Sequence, residues 1–465
     1  MLFISHGPTW LEVSASVALG SKCSIRAFVP GHNGCAPRQL LTMASGRLER
    51  GEFPTLQAYI YASVWSDFIE AEYHAEHESG DPQDEWKSWY ALQQKLECIK
   101  EWCVRPQCRL HDLIIDDPLR TAEEVRTLNT TLYAGSLQHQ VDAASSAHGL
   151  NAAQRRVLLQ SIDRRVLLVQ GPPGTGKSRT ATALVALHQG TGRAVLVSTP
   201  SNAAANLLAS SLVDEKVAVW RYLSIEAEEG MTPTQKATLA SCCLPLAARE
   251  MLKAEGYSED AQKFKKHVNR RCKDIIAQDQ RVTVATLSMA AATPVMSDVS
   301  HDIVVVDEAA QATEPAVLEA VSVCGHEGCI VQIGDHRQLP ATVKCIRSVR
   351  AGRSVSMFER LGAIAGMTLE LLQEQYRMHP SIAHYPNSAY YEGKLVTRAK
   401  ATSAPRGYPW PGQDPVVFEH VDGVEKQDGF SYTNMEEASR AIEVALDLVA
   451  QGDALASGIG GTVPV

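Results

Sequence analysis

Gly171-Pro172-Pro173-Gly174-Thr175-Gly176-Lys177-Ser178 fits the pattern G-x-x-x-x-G-K-[ST] and constrains this chain more than any other stretch. A strand-like run, Val166–Val169, precedes it, and a helix-like run, Arg179–Leu187, follows. In that setting the glycines let backbone N–H groups curl around phosphate oxygens, where side chains would collide. The start of the helix adds the positive end of its dipole. Lys177 is expected to reach the β- and γ-phosphates of a nucleoside triphosphate, and the Ser178 hydroxyl to bind magnesium. Average residue frequencies give the pattern by chance in about one chain of this length in fifty. A second signature shrinks that chance further. Ile303–Val306 runs into Asp307-Glu308-Ala309-Ala310. Two adjacent carboxylates are most often a solvated turn, but at the end of a buried strand downstream of a phosphate loop they are costly without a cation. Asp307 is then expected to hold Mg2+ through water, and Glu308 to polarise an attacking water as general base. The expected cofactors are ATP and Mg2+.

Short β-branched, apolar runs recur at Val166–Val169, Ala194–Val197, Val282–Ala285, Ile303–Val306 and Ile330–Ile333. Continuous rather than alternating, they read as strands buried on both faces of a parallel α/β sheet, with the ligand at their carboxyl ends. Between Ser211 and Gln280 the strand signal stops and a polar, helical insert intervenes. It carries Lys263, Lys265, Lys266, Arg270, Arg271 and Lys273, which on composition alone read as a solvated helix face. A second α/β unit starts near Val355 and runs to the C-terminus. Residues 1–138 mix aromatic and acidic side chains without a motif and read as an accessory region open to protein partners.

At 465 residues, 45% of them hydrophobic and 21% charged, the chain can hold two or three separately cored domains. A net charge of −9 excludes a protein basic all over, but leaves room for positive potential confined to one groove. No apolar run reaches the length of about 18 residues that a membrane span needs. The N-terminus lacks the basic start and apolar stretch of a signal peptide, so an intracellular protein is the default. The eleven cysteines contain no C-x-x-C pair and read as reduced thiols. Cys98, Cys103, Cys108 and His111 are spaced too irregularly for a zinc site, and Cys324, His326 and Cys329 read as a turn before a strand.

Longer stretches carry a resemblance. Asp307-Glu308-Ala309-Ala310-Gln311-Ala312-Thr313-Glu314-Pro315, Gly334-Asp335-His336-Arg337-Gln338-Leu339-Pro340 and Gln375-Tyr376-Arg377-Met378-His379-Pro380-Ser381-Ile382 are similar, in order and wording, to motifs of superfamily 1B helicases. Ser356–Leu361 and Tyr391–Leu395 resemble connecting segments of the same proteins. Over residues 139–465 the chain resembles the group containing the nonsense-mediated-decay helicase and senataxin. The resemblance implies an α/β P-loop NTPase. One complete RecA-like domain (139–350) would carry the helical insert (about 211–280), and an incomplete second RecA-like domain (351–465) would follow the accessory region (1–138).

Carried over by position, it implies that Gln154 reads the adenine edge and Tyr376 stacks on the adenine. Gln338 would sense the γ-phosphate and link it to the strand-binding surface, and Arg377 would be an arginine finger. Pro200, Ser201, Asn202 and Thr286 would contact the nucleic-acid backbone. Asn206 departs from the aspartate usual in that group. The insert falls where these helicases grip the strand, which makes the basic cluster a candidate phosphate contact. Together these features predict a monomeric, ATP-dependent translocase moving 5′-to-3′ on single-stranded RNA, with DNA second. The group's later motifs are not found before Val465; if these residues are the whole protein, ATP binding with weak or absent strand-stimulated hydrolysis is expected instead. The alternatives are an ATP-gated nucleic-acid clamp that does not unwind and an ATPase that remodels proteins.

Overall fold

The structure, a computed structural model, describes residues 2–6, 9–13, 24–29, 38–44, 65, 69, 96, 99–100, 102, 109–115, 120–130, 137–257, 261–279, 281–291, 295–296, 299–350, 352–398, 416–428 and 431–450. The chain divides into two compact units. The first comprises Met1–Pro172 with Lys177–Leu372, the second Pro173–Gly176 with Gln373–Val465.

In the first unit, β1 (Leu2–His6), β2 (Thr9–Val13), β3 (Ser24–Val29) and β4 (Arg38–Ala44) form an antiparallel sheet in that order. The larger sheet is built from β5 (Val166–Gln170), β6 (Val195–Thr199), β7 (Val219–Arg221), β8 (Val282–Thr286), β9 (His301–Asp307), β10 (Cys324–Gly334) and β11 (Leu369–Leu371). Its order is β11-β5-β10-β9-β6-β8-β7, and all its pairings are parallel. Successive residues of one strand feed opposite cores. Val166, Leu168, Val304 and Val306 enter one, with Trp102 and Phe358. Leu167, Val169, Ile303 and Val305 enter the other, with Leu184 and Leu208. Burial on both faces is why these strands read as unbroken apolar runs.

Four details depart from the sequence reading. The stretch 211–280 is not free of strands: β7 lies in it, three residues too short to show a period. Cys324, His326 and Cys329 belong to the opening of β10, whose pairing with β9 slips between Cys324 and Cys329, so the expected turn is an irregular strand. The first unit runs on to Leu372 rather than ending at 350, because β11 pairs with β5 and the Leu372 N–H donates to the Gln170 carbonyl at 2.8 Å. Trp65, Ile69, Ile99, Trp102, Leu110 and Ile114, from the stretch set apart as 1–138, share a core with Val166 and Leu168. Cys98, Cys103 and Cys108 lie outside the described residues. His111 is buried against the Trp102 ring, 5.9 Å between centroids.

Polar contacts brace this unit where apolar packing cannot. Burial pushes the fully buried His188 down to about 3, so its ring is neutral. Arg193 Nη1, 3.2 Å from Nδ1, can only donate, which leaves Nε2–H to donate to Ser161 Oγ at 2.9 Å. That bond ties helix Ala152–Asp163 to helix Lys177–Gly190. Arg360 and Glu314, 3% and 1% exposed, form a forked ion pair, with Arg360 Nη2 also donating to the Ile114 carbonyl at 2.8 Å.

The second unit contains β12 (Glu374–Gln375) paired in parallel with β13 (Val396–Thr397), and β14 (Lys426–Asp428) antiparallel to β15 (Ser431–Thr433). Its helices are Pro380–Tyr390 and Met435–Ala450. Asn434 Oδ1 caps the second, accepting from the Glu437 N–H at 3.2 Å. Among the described residues no helix is long and apolar enough to cross a membrane.

The Arg360–Glu314 pair gives the first prediction. Glu314→Ala leaves a buried guanidinium without its carboxylate and is expected to destabilise the first unit by about 3–5 kcal/mol. Urea denaturation measures this; a loss below about 1 kcal/mol contradicts it.

Candidate nucleotide site and strand-contact edge

The register brings three strand ends level: Gly334 lies opposite Gln170, and Ile333 opposite Asp307. The Gly171 N–H donates to the Gly334 carbonyl at 2.9 Å, which joins the start of the phosphate loop to the third motif. At Gly334 a Cβ would sit 2.8 Å from the Ala310 nitrogen, so only glycine lets the turn after β9 pass. Gly174 and Gly176 take φ of +76° and +81°, the left-handed conformation the loop requires. Lys177, first residue of its helix, curls back over Gly171. Its Nζ donates to the Gly171 carbonyl at 2.9 Å and lies 3.9 Å from Glu308 Oε1. A Cβ on Gly171 would collide with the Lys177 stem. Thr175 is buried and Ser178 exposed at the first helical turn. The loop's prolines differ in the same way, Pro172 buried and Pro173 half-buried.

Asp307 is buried, and that burial, with the Glu308 charge beside it, raises its carboxyl to about 6. A bond from the Glu308 N–H to Asp307 Oδ1 at 3.0 Å and the charge of Lys177 act the other way and do not offset it. Glu308 has φ 54°, left-handed for a residue with a side chain, and accepts from Gln311 Nε2 at 3.0 Å. A divalent cation fits this chemistry. It would relieve the buried carboxylate, and a carboxylate with a hydroxyl is a hard-oxygen donor set of the kind magnesium takes. Among the described residues no group of three or more His, Cys, Asp or Glu could hold a metal by itself. An ion here must draw its other ligands from phosphate and water, as magnesium commonly does.

Asp335, not singled out from sequence, links the ends of two strands. Its Oδ1 accepts from Gln170 Nε2 at 3.1 Å and the Arg337 N–H at 3.2 Å, and its Oδ2 from Gln338 Nε2 at 2.8 Å. Gln154 is 2% exposed, and its amide completes a capping box, Oε1 accepting from the Asn151 N–H at 3.0 Å. In the second unit Tyr376 and Arg377 are both exposed, and Tyr376 Oη donates to Glu374 Oε2 at 2.8 Å. Gln375, also unforeseen, folds the loop that carries them. Fully buried, it accepts from the Arg377 and Met378 N–H groups at 3.0 and 2.8 Å and donates to the Met378 carbonyl and Thr397 Oγ1 at 2.7 and 2.8 Å.

The expected strand contacts meet at neighbouring strand ends, since Thr199 pairs with Thr286. Thr199 Oγ1 donates to the Ser201 carbonyl at 2.8 Å, and Ser201 Oγ caps helix Asn202–Asp214 by accepting from the Ala204 N–H at 3.2 Å. Pro200, Ser201 and Asn202 are exposed, while Thr286 is 6% exposed. Asn206, where the sequence departs from aspartate, accepts from Arg221 Nε at 2.8 Å. The basic cluster is not a free phosphate surface. Lys265 pairs with Glu226 and Arg271 with Glu255, while Lys266 and Arg270 stay exposed. Neutralisation by carboxylates from elsewhere in the insert could not be read from the helix's own sequence.

Two family profiles, each described as AAA domain, match the chain: one over residues 149–242 and 226–345, the other over 353–461. Regulator of nonsense transcripts 1 homolog from Arabidopsis thaliana is 33% identical over 304 residues, 61% of this chain and 24% of that protein. Regulator of nonsense transcripts 1 from Dictyostelium discoideum is 34% identical over 58% of this chain and 22% of that protein. ATP-dependent helicase NAM7 from Saccharomyces cerevisiae is 29% identical over 61% and 30%, respectively. The chain belongs to the superfamily 1 helicases of the nonsense-mediated-decay type. Its matched region spans less than a third of the length of each of these relatives. Helicases of this kind use nucleotide and bind nucleic acid, so the family accounts for the phosphate loop and the acidic strand end together.

The second prediction concerns Asp307. A carboxyl raised to about 6 from 3.8 is protonated more readily in the folded chain than in the unfolded one. Its contribution therefore falls as pH rises from about 4 to 6 and stays unfavourable above, by roughly 3 kcal/mol. Asp307→Asn removes that loss. Its melting temperature without nucleotide and metal is expected to exceed wild type increasingly from pH 4 to 6, then by a constant margin. Differential scanning fluorimetry across pH checks this, and a margin that shrinks over that window contradicts it.

Proposed function

We propose that this chain is the ATP-driven motor of a nucleic-acid helicase, binding ATP with Mg2+ and coupling its hydrolysis to 5′-to-3′ movement on single-stranded RNA. The observation that carries the reading is the pairing of Lys177, 3.9 Å from Glu308, with the buried Asp307 at the end of β9. A lysine for phosphate, a carboxylate that a cation would relieve and a second carboxylate for water are the parts phosphoryl transfer needs. Lys177 and Ser178 then engage the phosphates and metal, Asp307 the metal, and Glu308 the attacking water. Gln154 and Tyr376 hold the adenine. Gln338 senses the γ-phosphate through its bond to Asp335, and Arg377 stabilises charge on the transferred phosphoryl group. Pro200, Ser201, Asn202 and Thr286 contact the strand backbone.

RNA is favoured over DNA because the similar proteins from Arabidopsis and Dictyostelium are named as regulators of nonsense transcripts. The test is steady-state ATP hydrolysis titrated with single-stranded RNA and DNA over a salt series. Stimulation by RNA is expected, falling with salt as phosphate contacts are screened. Lys177→Ala is expected to abolish turnover, and Arg377→Ala to lower kcat by about 10³-fold while ATP still binds. Turnover indifferent to both nucleic acids would favour a protein remodeller, and ATP binding without turnover a clamp.

A further inference from the structure

Arg221 ends β7 and is 0% exposed, yet no carboxylate among the described residues hydrogen-bonds it. Its Nε donates to Asn206 Oδ1 at 2.8 Å and its Nη2 to Asn202 Oδ1 at 2.8 Å, while Nη1 donates to the Tyr222 carbonyl. Its backbone N–H donates to the Cys242 carbonyl at 2.7 Å, which fixes the base of the side chain. Burial lowers the guanidinium to about 10, so it stays charged at neutral pH. Asn202 and Asn206 are four residues apart and share one face of their helix, which lets one guanidinium span both.

A guanidinium has donors and no acceptor, so it can take only the oxygen of an asparagine amide. Asn202 has one such oxygen, and Arg221 holds it. The Asn202 NH2 group is therefore turned away from the guanidinium. Asn202 is exposed and follows the N-cap Ser201, so this donor stands beside the N–H groups at the start of the helix. A nucleic-acid backbone offers acceptors: phosphate oxygens and sugar oxygens. The opposite rotamer would face an anionic phosphate with an oxygen.

We propose that Arg221 is a positioning residue for strand binding: by holding the Asn202 oxygen it presents the Asn202 NH2 as a donor to the nucleic-acid backbone. This rests on the reading of Ser201 and Asn202 as a strand contact. Arg221 itself, being buried, never touches the strand.

The experiment is a double-mutant cycle on the full chain, read as the Kd for a fluorescein-labelled single-stranded oligouridine by anisotropy at fixed salt. Arg221→Met and Asn202→Ala are each expected to weaken binding by about tenfold, the size of one lost hydrogen bond. Because both remove the same contact, the double variant is expected to bind no worse than Asn202→Ala alone. A purely structural arginine predicts independent losses, about hundredfold in the double variant, and that result overturns the proposal. Asn202→Asp supplies a second arm should Arg221→Met fail to fold. It keeps an acceptor for Arg221 but replaces the donor with an oxygen, so it is expected to bind at least tenfold more weakly; wild-type affinity there overturns the proposal. If the wild type binds while Asn202→Ala is silent, this inference falls and the motor reading stands. If the wild type binds no strand at low salt, the motor reading itself falls.

Discussion

Asp307 carries its carboxylate into a place where water cannot solvate it, with Glu308 as its chain neighbour. Leaving that charge uncompensated is unfavourable, so the surrounding chain is built to hold it rather than to let it swing out. Five parallel hydrogen-bonded positions join β9 to β10 from Cys329 to Ile333, and they fix the height at which Asp307 emerges. The left-handed φ of Glu308 then turns the chain sharply, and the short helix Ala309–Gln311 crosses close over Gly334. Strain at position 308 and the missing side chain at 334 are two halves of one packing solution. Replacing either residue with one of opposite conformational preference would move the carboxylates relative to Lys177.

The neighbouring strand ends are tied together by side chains. Gln170 closes β5 just before the phosphate loop, and Gln338 lies four residues beyond the end of β10. Asp335 bonds both amides, so the sheet's own rigidity is extended by two side-chain hydrogen bonds. Under the proposed role of Gln338, a γ-phosphate drawing it away would have to compete with Asp335. That competition would offer two discrete arrangements, and a coupling element needs two states rather than a continuous deformation.

What the sequence revealed followed from the range over which each signal acts. The phosphate loop, the acidic pair and five strand cores were legible because their constraints are local: glycine conformation, a strand end, and burial on both faces. β7 was missed because three residues cannot display a period, and β11 because nothing in Leu369–Leu371 announces a partner two hundred residues earlier. Gln375 and Asp335 were visible inside motifs, but their roles depend on partners such as Thr397 and Gln170 that only folding brings near. The basic helix failed for the complementary reason. Its charges were counted correctly, while Glu226 and Glu255, which neutralise two of them, lie on other segments.

That neutralisation bears on how a chain with a net charge of −9 can hold a polyanion at all. Long-range attraction is weak when the summed field is negative and two cations of the richest basic helix are already paired. Under the proposed function, binding would then rely on short-range donors held in fixed directions: the first-turn N–H groups of helix Asn202–Asp214 and the Asn202 amide. Oriented donors of this kind lose little side-chain entropy on binding, whereas a free lysine must be immobilised. Burying Arg221 behind them adds to this edge a positive charge that no hydrogen-bonded carboxylate offsets and that solvent ions screen poorly. On that reading the edge is favourable to phosphate at contact distance while the molecule as a whole is not, a combination that disfavours indiscriminate association.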